Sequence, residues 1–259
     1  MSRGLGDVYK RQARLRDGIT VGLVHGGWHD AWCWERLAPG LSALGYRVVA
    51  MDLPCEDPSA GTTRYAEVVD QALPAGGDLV LVGHSLAGLT IPLVAARRPV
   101  RLLVFLCAAV PVFGQSLEEQ VAAHPEMYAP GFAGHPGRVV HPDRSVSWGS
   151  REAVRDVFYH DCDPAEADAA WLRLRRQASA PRREPCPLTG WPPGARASIH
   201  AREDRAIAPA WSRWAATELL GVEPLELPGG HSPFLSRPRG LAQILDHVIT
   251  MTRPAAGLS

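Results

Sequence analysis

The sequence predicts an α/β fold: a mainly parallel central sheet with helices on both faces and an inserted helical cap. Three observations predict it. Short β-favouring apolar runs recur at 19–24, 79–82 and 101–107, with the near-continuous apolar character of strands buried on both faces. Helix-compatible segments alternate with them, the rhythm of a parallel sheet built from βαβ units. Between Pro111 and Pro193 that rhythm stops, and the chain turns rich in Pro, His and aromatic residues.

In order, the strand starting at Ile19 runs into the turn His25-Gly26-Gly27-Trp28. A helix over 32–44 follows, and Gly45 is its C-terminal stop. The second strand, 46–51, closes at Asp52-Leu53-Pro54; after a polar turn at 55–63 a helix covers 64–73. Strand 79–82 ends in Gly83-His84-Ser85-Leu86-Ala87-Gly88, and a helix over 89–97 follows directly. The run 101–107 is the next strand. In 111–193 helices are expected at 117–124, 150–160 and 164–177, with no buried strand, which makes this stretch the cap. The sheet resumes at 195–201, followed by a helix at 209–220, a last strand at 222–227 and a closing helix at 238–251. The core thus comprises 13–110 and 194–259, one domain with an insertion, as 259 residues allow. Residues 1–12 hold Lys10, the only lysine of the chain, and this polar leader reads as a scar outside the fold.

Basic and acidic residues balance at 27 each, so no net field recruits nucleic acid or an anionic membrane, and neither is an expected partner. A small neutral molecule is the expected partner, and a homodimer is compatible with the chain. The cysteines Cys33, Cys55, Cys107, Cys162 and Cys186 are odd in number and scattered, which argues against a disulfide framework or a zinc site and for reduced thiols in a cytoplasm. No apolar run approaches the ~18 residues of a membrane helix, and the N-terminus lacks a signal-peptide core.

Ligands of open parallel sheets bind outside the carboxyl ends of the strands, so reactive groups should collect there. Ser85 lies between a strand and a helix, flanked by the small residues Gly83, Ala87 and Gly88 that a sharp, strained turn needs. Such a turn lifts the hydroxyl clear of the sheet as a nucleophile. His231, in Gly229-Gly230-His231 after the last strand, is the expected base, since a neutral imidazole can take the serine proton and return it to a leaving alcohol. Asp204, after strand 195–201, is the expected orienting carboxylate, ahead of Glu203 and Asp52. Backbone donors for an oxyanion are expected from Gly27 and Leu86. His25 is expected to brace the Gly26-Gly27 turn and His84 to point away from the reacting centre. His160, Asp161 and Asp163 read as a solvated helix end, because their spacing is poor for a metal.

These residues give the chain the look of an α/β-hydrolase, in the order Ser85, Asp204, His231. More narrowly it resembles the group of plant methylesterases, hydroxynitrile lyases and their bacterial esterase relatives. The resemblance is carried by Val24-His25-Gly26-Gly27-Trp28 with Ala31-Trp32-Cys33-Trp34, by Gly83-His84-Ser85-Leu86-Ala87-Gly88, and by Glu203-Asp204-Arg205-Ala206-Ile207. Residues 157–163 resemble bacterial members of unassigned substrate. The resemblance implies carboxylic-ester hydrolysis through an acyl-enzyme, without metal or organic cofactor. Lyases of this group carry a Lys after the catalytic His, where this chain has Ser232, and a Thr where it has Gly26; both departures favour an esterase. A carbon–carbon lyase and a non-catalytic binding protein on the same scaffold are the alternatives.

The stretch 111–193 is enriched in aromatics, and a cap over the carboxyl edge must present an apolar underside to the pocket. Trp28, Tyr128, Trp148 and Phe158 are therefore the expected pocket residues, suited to small or medium neutral esters.

Overall fold

The computed structural model describes residues 16 and 18–252; the expected leader, 1–12, lies outside them. Its centre is a six-stranded sheet in the order β2-β1-β3-β4-β7-β8, parallel in every pairing. The strands are β1 (Ile19–Val24), β2 (Arg47–Met51), β3 (Asp78–His84), β4 (Leu102–Leu106), β7 (Ala195–Ala201) and β8 (Leu225–Leu227). The central strands β1 and β4 are buried along their whole length, as a sheet covered on both faces requires. Side chains of β3 alternate between two cores. Val80 and Val82 join Ile19, Val21 and Leu23 on one face, whereas Leu79 and Leu81 join Leu103 and Phe105 on the other.

Helices α1 (Ala38–Ala43) and α10 (Pro238–Met251) cover the first face through Leu41, Leu241 and Leu245. Helices α2 (Thr62–Ala72), α3 (Ile91–Ala95) and α8 (Pro209–Glu218) cover the second through Tyr65, Val69, Ile91, Val94 and Trp211. Two expected helices are shorter and broken. Residues 32–44 form a 3-10 turn, Ala31–Trp34, before α1, and the helix after Ser85 opens as a 3-10 turn, Ser85–Leu89. Pro39 and Pro92 account for both breaks: each sits at the start of its α-helix, where a missing N–H costs nothing, and not further in.

Residues 111–193 contain α4 (Leu117–Ala123), α5 (Arg151–Phe158), α6 (Pro164–Trp171) and α7 (Ala180–Arg183). Ser116 and Glu119 form a reciprocal capping box that starts α4. Beside the expected helices the stretch holds β5 (Arg138–Val140) and β6 (Val146–Trp148), an antiparallel pair that the sequence reading did not anticipate. Three-residue strands are too short for alternation to show in a sequence, and Val139 and Val140 face solvent instead of a core. The expected helix 164–177 stops at Trp171, and Gln177 instead bridges to Val146 in extended backbone. A second bridge, Tyr128 to Ile207, stitches this region to the loop after β7. Among the described residues no helix is long and apolar enough to cross a membrane.

Candidate active site

Ser85 sits at the C-terminal end of β3 with φ +53°, the strained left-handed backbone of a strand-to-helix elbow. The elbow needs space. A Cβ on Gly26 would lie 2.7 Å from the Ser85 Cβ, so the neighbouring turn can approach the serine only because residue 26 is glycine.

His231 and Asp204 are both buried, and His231 Nδ1 lies 2.8 Å from Asp204 Oδ2. The other carboxylate oxygen of Asp204 accepts from the amides of Ala206 at 2.8 Å and Ile207 at 3.0 Å, so the loop after β7 holds the carboxylate in one orientation. With Nδ1–H donated to Asp204, the lone pair of His231 is left on Nε2. No hydrogen bond joins that nitrogen to the Ser85 hydroxyl in this structure; such contacts commonly tighten only in a substrate complex. The rival acids have other partners. Asp52 accepts from the Ala31 amide at 2.8 Å, and Glu203 accepts from the Gly229 amide at 2.7 Å.

The ring of His84 packs 4.7 Å from that of His231, centroid to centroid, and its Nε2–H donates to the His231 carbonyl at 2.9 Å. Neither His84 nor His231 is among the residues that line the pocket. The Gly230 amide donates to Asp161 at 2.9 Å, and Asp163 caps α6 by accepting from Ala165 at 2.9 Å. Asp161 and Asp163 are thus engaged in backbone hydrogen bonds.

The turn opposite Ser85 is held by two imidazoles. His25 Nδ1–H donates to the Gly26 carbonyl at 2.9 Å, while its Nε2 accepts from the Leu53 amide at 3.0 Å. In a trans peptide the N–H points opposite to the C=O. Anchoring the Gly26 carbonyl to His25 therefore turns the Gly27 N–H away from His25. His29 Nδ1–H donates to the Gly27 carbonyl at 2.8 Å, and Tyr159 Oη donates to its Nε2 at 2.8 Å. Gly27 and Leu86, both expected as oxyanion donors, line the same pocket as Ser85.

Burial drives His25 down to about 4 and His29 down to about 3, so both rings are neutral in the folded protein. An unfolded chain takes up protons on them near ~6.5. Stability is then complete above that pH and falls as pH drops toward the folded values, by up to about 2 kcal/mol per ring at pH ~5. The melting temperature should accordingly be lower at pH 5 than at pH 7, and His29→Gln, which can keep both hydrogen bonds, should reduce that difference. Equal dependence on pH in the two proteins would remove His29 as a cause.

The pocket beside Ser85 is a narrow, partly open cleft with a volume of about 40 Å³. Trp28 and Tyr128 line it as expected, together with Leu86, Ala109, Leu117, Phe132, Ala206 and Ile207. Trp148 and Phe158 do not. They pack behind Trp28, their ring centroids 5.8 and 5.6 Å from its own, and are buried in the cap's core. Phe158 also lies 5.7 Å from the His231 ring. Trp28 stands between those two aromatics and the cavity, its position fixed by an indole N–H that donates to the Val146 carbonyl at 2.9 Å. Two polar residues that sequence reasoning missed also line the pocket, Gln177 and Arg182. Nothing in the sequence around either one marked it. Leu117 could have been found, because the Ser116-x-x-Glu119 box places the start of its helix.

A serine on a strained elbow that lines a pocket with Gly27 and Leu86, and a buried carboxylate-bound histidine after another strand of the same sheet, make a hydrolase-type arrangement. The chain belongs to the alpha/beta hydrolase family, whose pattern it matches over residues 23–244. Among characterised relatives it is similar to an alpha-hydroxynitrile lyase of Arabidopsis thaliana, 27% identical over 88% of this chain and 96% of that protein. It is equally similar to methylesterase 2 of the same plant, 29% identical over 88% of this chain and 94% of the relative. The fold matches that of polyneuridine aldehyde esterase with a TM-score of 0.77 at 22% identity, covering 90% of this chain and 99% of that one.

Proposed function

We propose that the protein is a carboxylic-ester hydrolase acting through an acyl-enzyme, with Ser85 as nucleophile, His231 as base and Asp204 as the group that orients it. The observation that carries this reading is the buried His231–Asp204 pair at 2.8 Å, in a chain whose Ser85 sits on a strained elbow and lines a pocket. Ser85 Oγ attacks the ester carbon as His231 Nε2 takes its proton. The oxyanion is met by the amides of Gly27 and Leu86, each donor of this kind being worth about 10² to 10³ in rate. The proton then passes from His231 to the leaving alcohol, and water repeats the sequence on the acyl-enzyme.

Two features favour hydrolysis over carbon–carbon cleavage, the activity for which one relative is named. Ser232 stands where the lyases carry a lysine, and a threonine side chain at residue 26 would collide with Ser85. The test is a panel of esters beside a cyanohydrin: ester turnover without cyanohydrin cleavage supports the reading, the reverse supports a lyase, and neither would indicate a binding protein.

Most of the pocket lining is apolar, which supports small or medium neutral esters as substrates. Arg182 is the one charged lining group, and Glu118 stands 3.8 Å from it as a counter-charge. Neutral esters should therefore outrun anionic ones, and Phe132→Ala should change kcat/KM by roughly 10- to 200-fold, unequally across acyl lengths. Anionic esters hydrolysed faster than neutral ones would assign Arg182 the reading of substrate charge.

A further inference from the structure

The pocket wall carries a polar atom that has no partner. Gln177 is 2% exposed and lines the pocket beside Gly27. Its amide nitrogen donates to the Ala178 carbonyl and to Tyr65 Oη, both at 3.1 Å. A carbonyl can only accept, so the Ala178 bond fixes which end of the amide is nitrogen. The other end, Oε1, has no hydrogen-bond partner among the described residues and lies 3.5 Å from where a Gly27 Cβ would be.

The position is rigidly held. Gln177 N donates to the Val146 carbonyl at 2.9 Å and its own carbonyl accepts from Val146 N at 2.8 Å. The side chain is thus fixed at both its backbone and its nitrogen, and its one free acceptor is enclosed in the pocket wall beside Gly27. Arg182, the charged lining group, turns toward Glu118, 3.8 Å away. A buried amide oxygen left unpaired is costly, and a donor on a bound molecule removes the cost.

We propose that Gln177 is a specificity-determining residue, and that the substrate carries a hydroxyl or N–H donor within two carbons of its ester group, accepted by Gln177 Oε1. The proposal rests on the esterase reading above. The distance limit follows from Gly27: its amide holds the ester oxygen, and Oε1 stands beside the same residue, so only a donor close to the carbonyl reaches it. An ester with a methyl in place of that donor leaves Oε1 unpaired and is discriminated against.

Three matched pairs of esters test this: methyl lactate with methyl isobutyrate, methyl β-hydroxybutyrate with methyl isovalerate, and hydroxyethyl butyrate with propyl butyrate. In at least one pair the wild-type protein should favour the hydroxyl member beyond the ratio of their alkaline hydrolysis rates. Gln177→Met should lower that kcat/KM ratio by about 10- to 100-fold, the scale of a lost buried partner. A ratio taken within one preparation is independent of the folded fraction, so a poorly folding variant still reports. No hydroxyl preference in the wild type for any pair, or the same ratio in wild type and variant, overturns the role of Gln177 while leaving the esterase intact. Turnover that persists in Ser85→Ala, or no turnover of any ester, overturns the esterase reading and this inference with it.

Discussion

Ser85→Ala is expected to abolish ester hydrolysis, with a loss near 10⁶-fold in kcat, while the protein melts close to the wild-type temperature. The size follows from cooperation: without its nucleophile the rest of such a site retains only what binding and the oxyanion donors supply. The structure supports a clean variant. The Ser85 hydroxyl has no hydrogen bond to any described residue, whereas its carbonyl accepts from the Ala109 amide at 3.1 Å, a bond alanine keeps. The φ of +53° is equally strained for serine and alanine. A fluorophosphonate reagent should label the wild type at Ser85 alone. Turnover retained in the alanine variant would falsify the assignment.

The second large effect is expected at Asp204. Asn in its place can still accept from the Ala206 and Ile207 amides through its oxygen, which directs the amide nitrogen toward His231. A donor there forces the proton of the imidazole onto Nε2, the atom that has to accept from Ser85. A loss on the order of 10⁴-fold in kcat follows, with little change in fold. Asp52→Asn is the control, because among the described residues Asp52 holds only the Ala31 amide, and its activity should stay within a few-fold of wild type. A crippled Asp52 variant beside an active Asp204 variant would transfer the acid to β2.

Residues with a strong local signature were legible in the sequence. The run from Leu79 to Gly88 announces strand and elbow in ten residues, and Gly88 stands there because a side chain would run into the Ala109 carbonyl. The places of Asp204 and His231 after their strands follow from topology, which collects strand ends at one edge. The pocket was only half legible, and the misplaced residues show why. Trp28, Trp148 and Phe158 are the same kind of residue, and which one faces the cavity depends on a hydrogen bond to Val146, 118 positions away. Gln177 was invisible for the same reason: an unpaired oxygen is a property of what surrounds it in space. The pair β5–β6 escaped because a period of two needs more than three residues to be seen.

The stretch from Phe158 to Asp161 lies in the cap by position and is bonded to the core. Phe158 backs the ring of His231, Tyr159 donates to His29 beneath the Gly27 turn, and Asp161 accepts from Gly230 beside the base. For anyone recombining this protein with a relative, the seams at 110 and 193 are therefore the wrong place to think of the cap as a removable module. A transplanted cap brings its own residues 158–161 against His231, His29 and Gly230 at once, and on the proposed reading a chimera that changes substrate choice is expected to lose rate unless those four positions travel with the recipient.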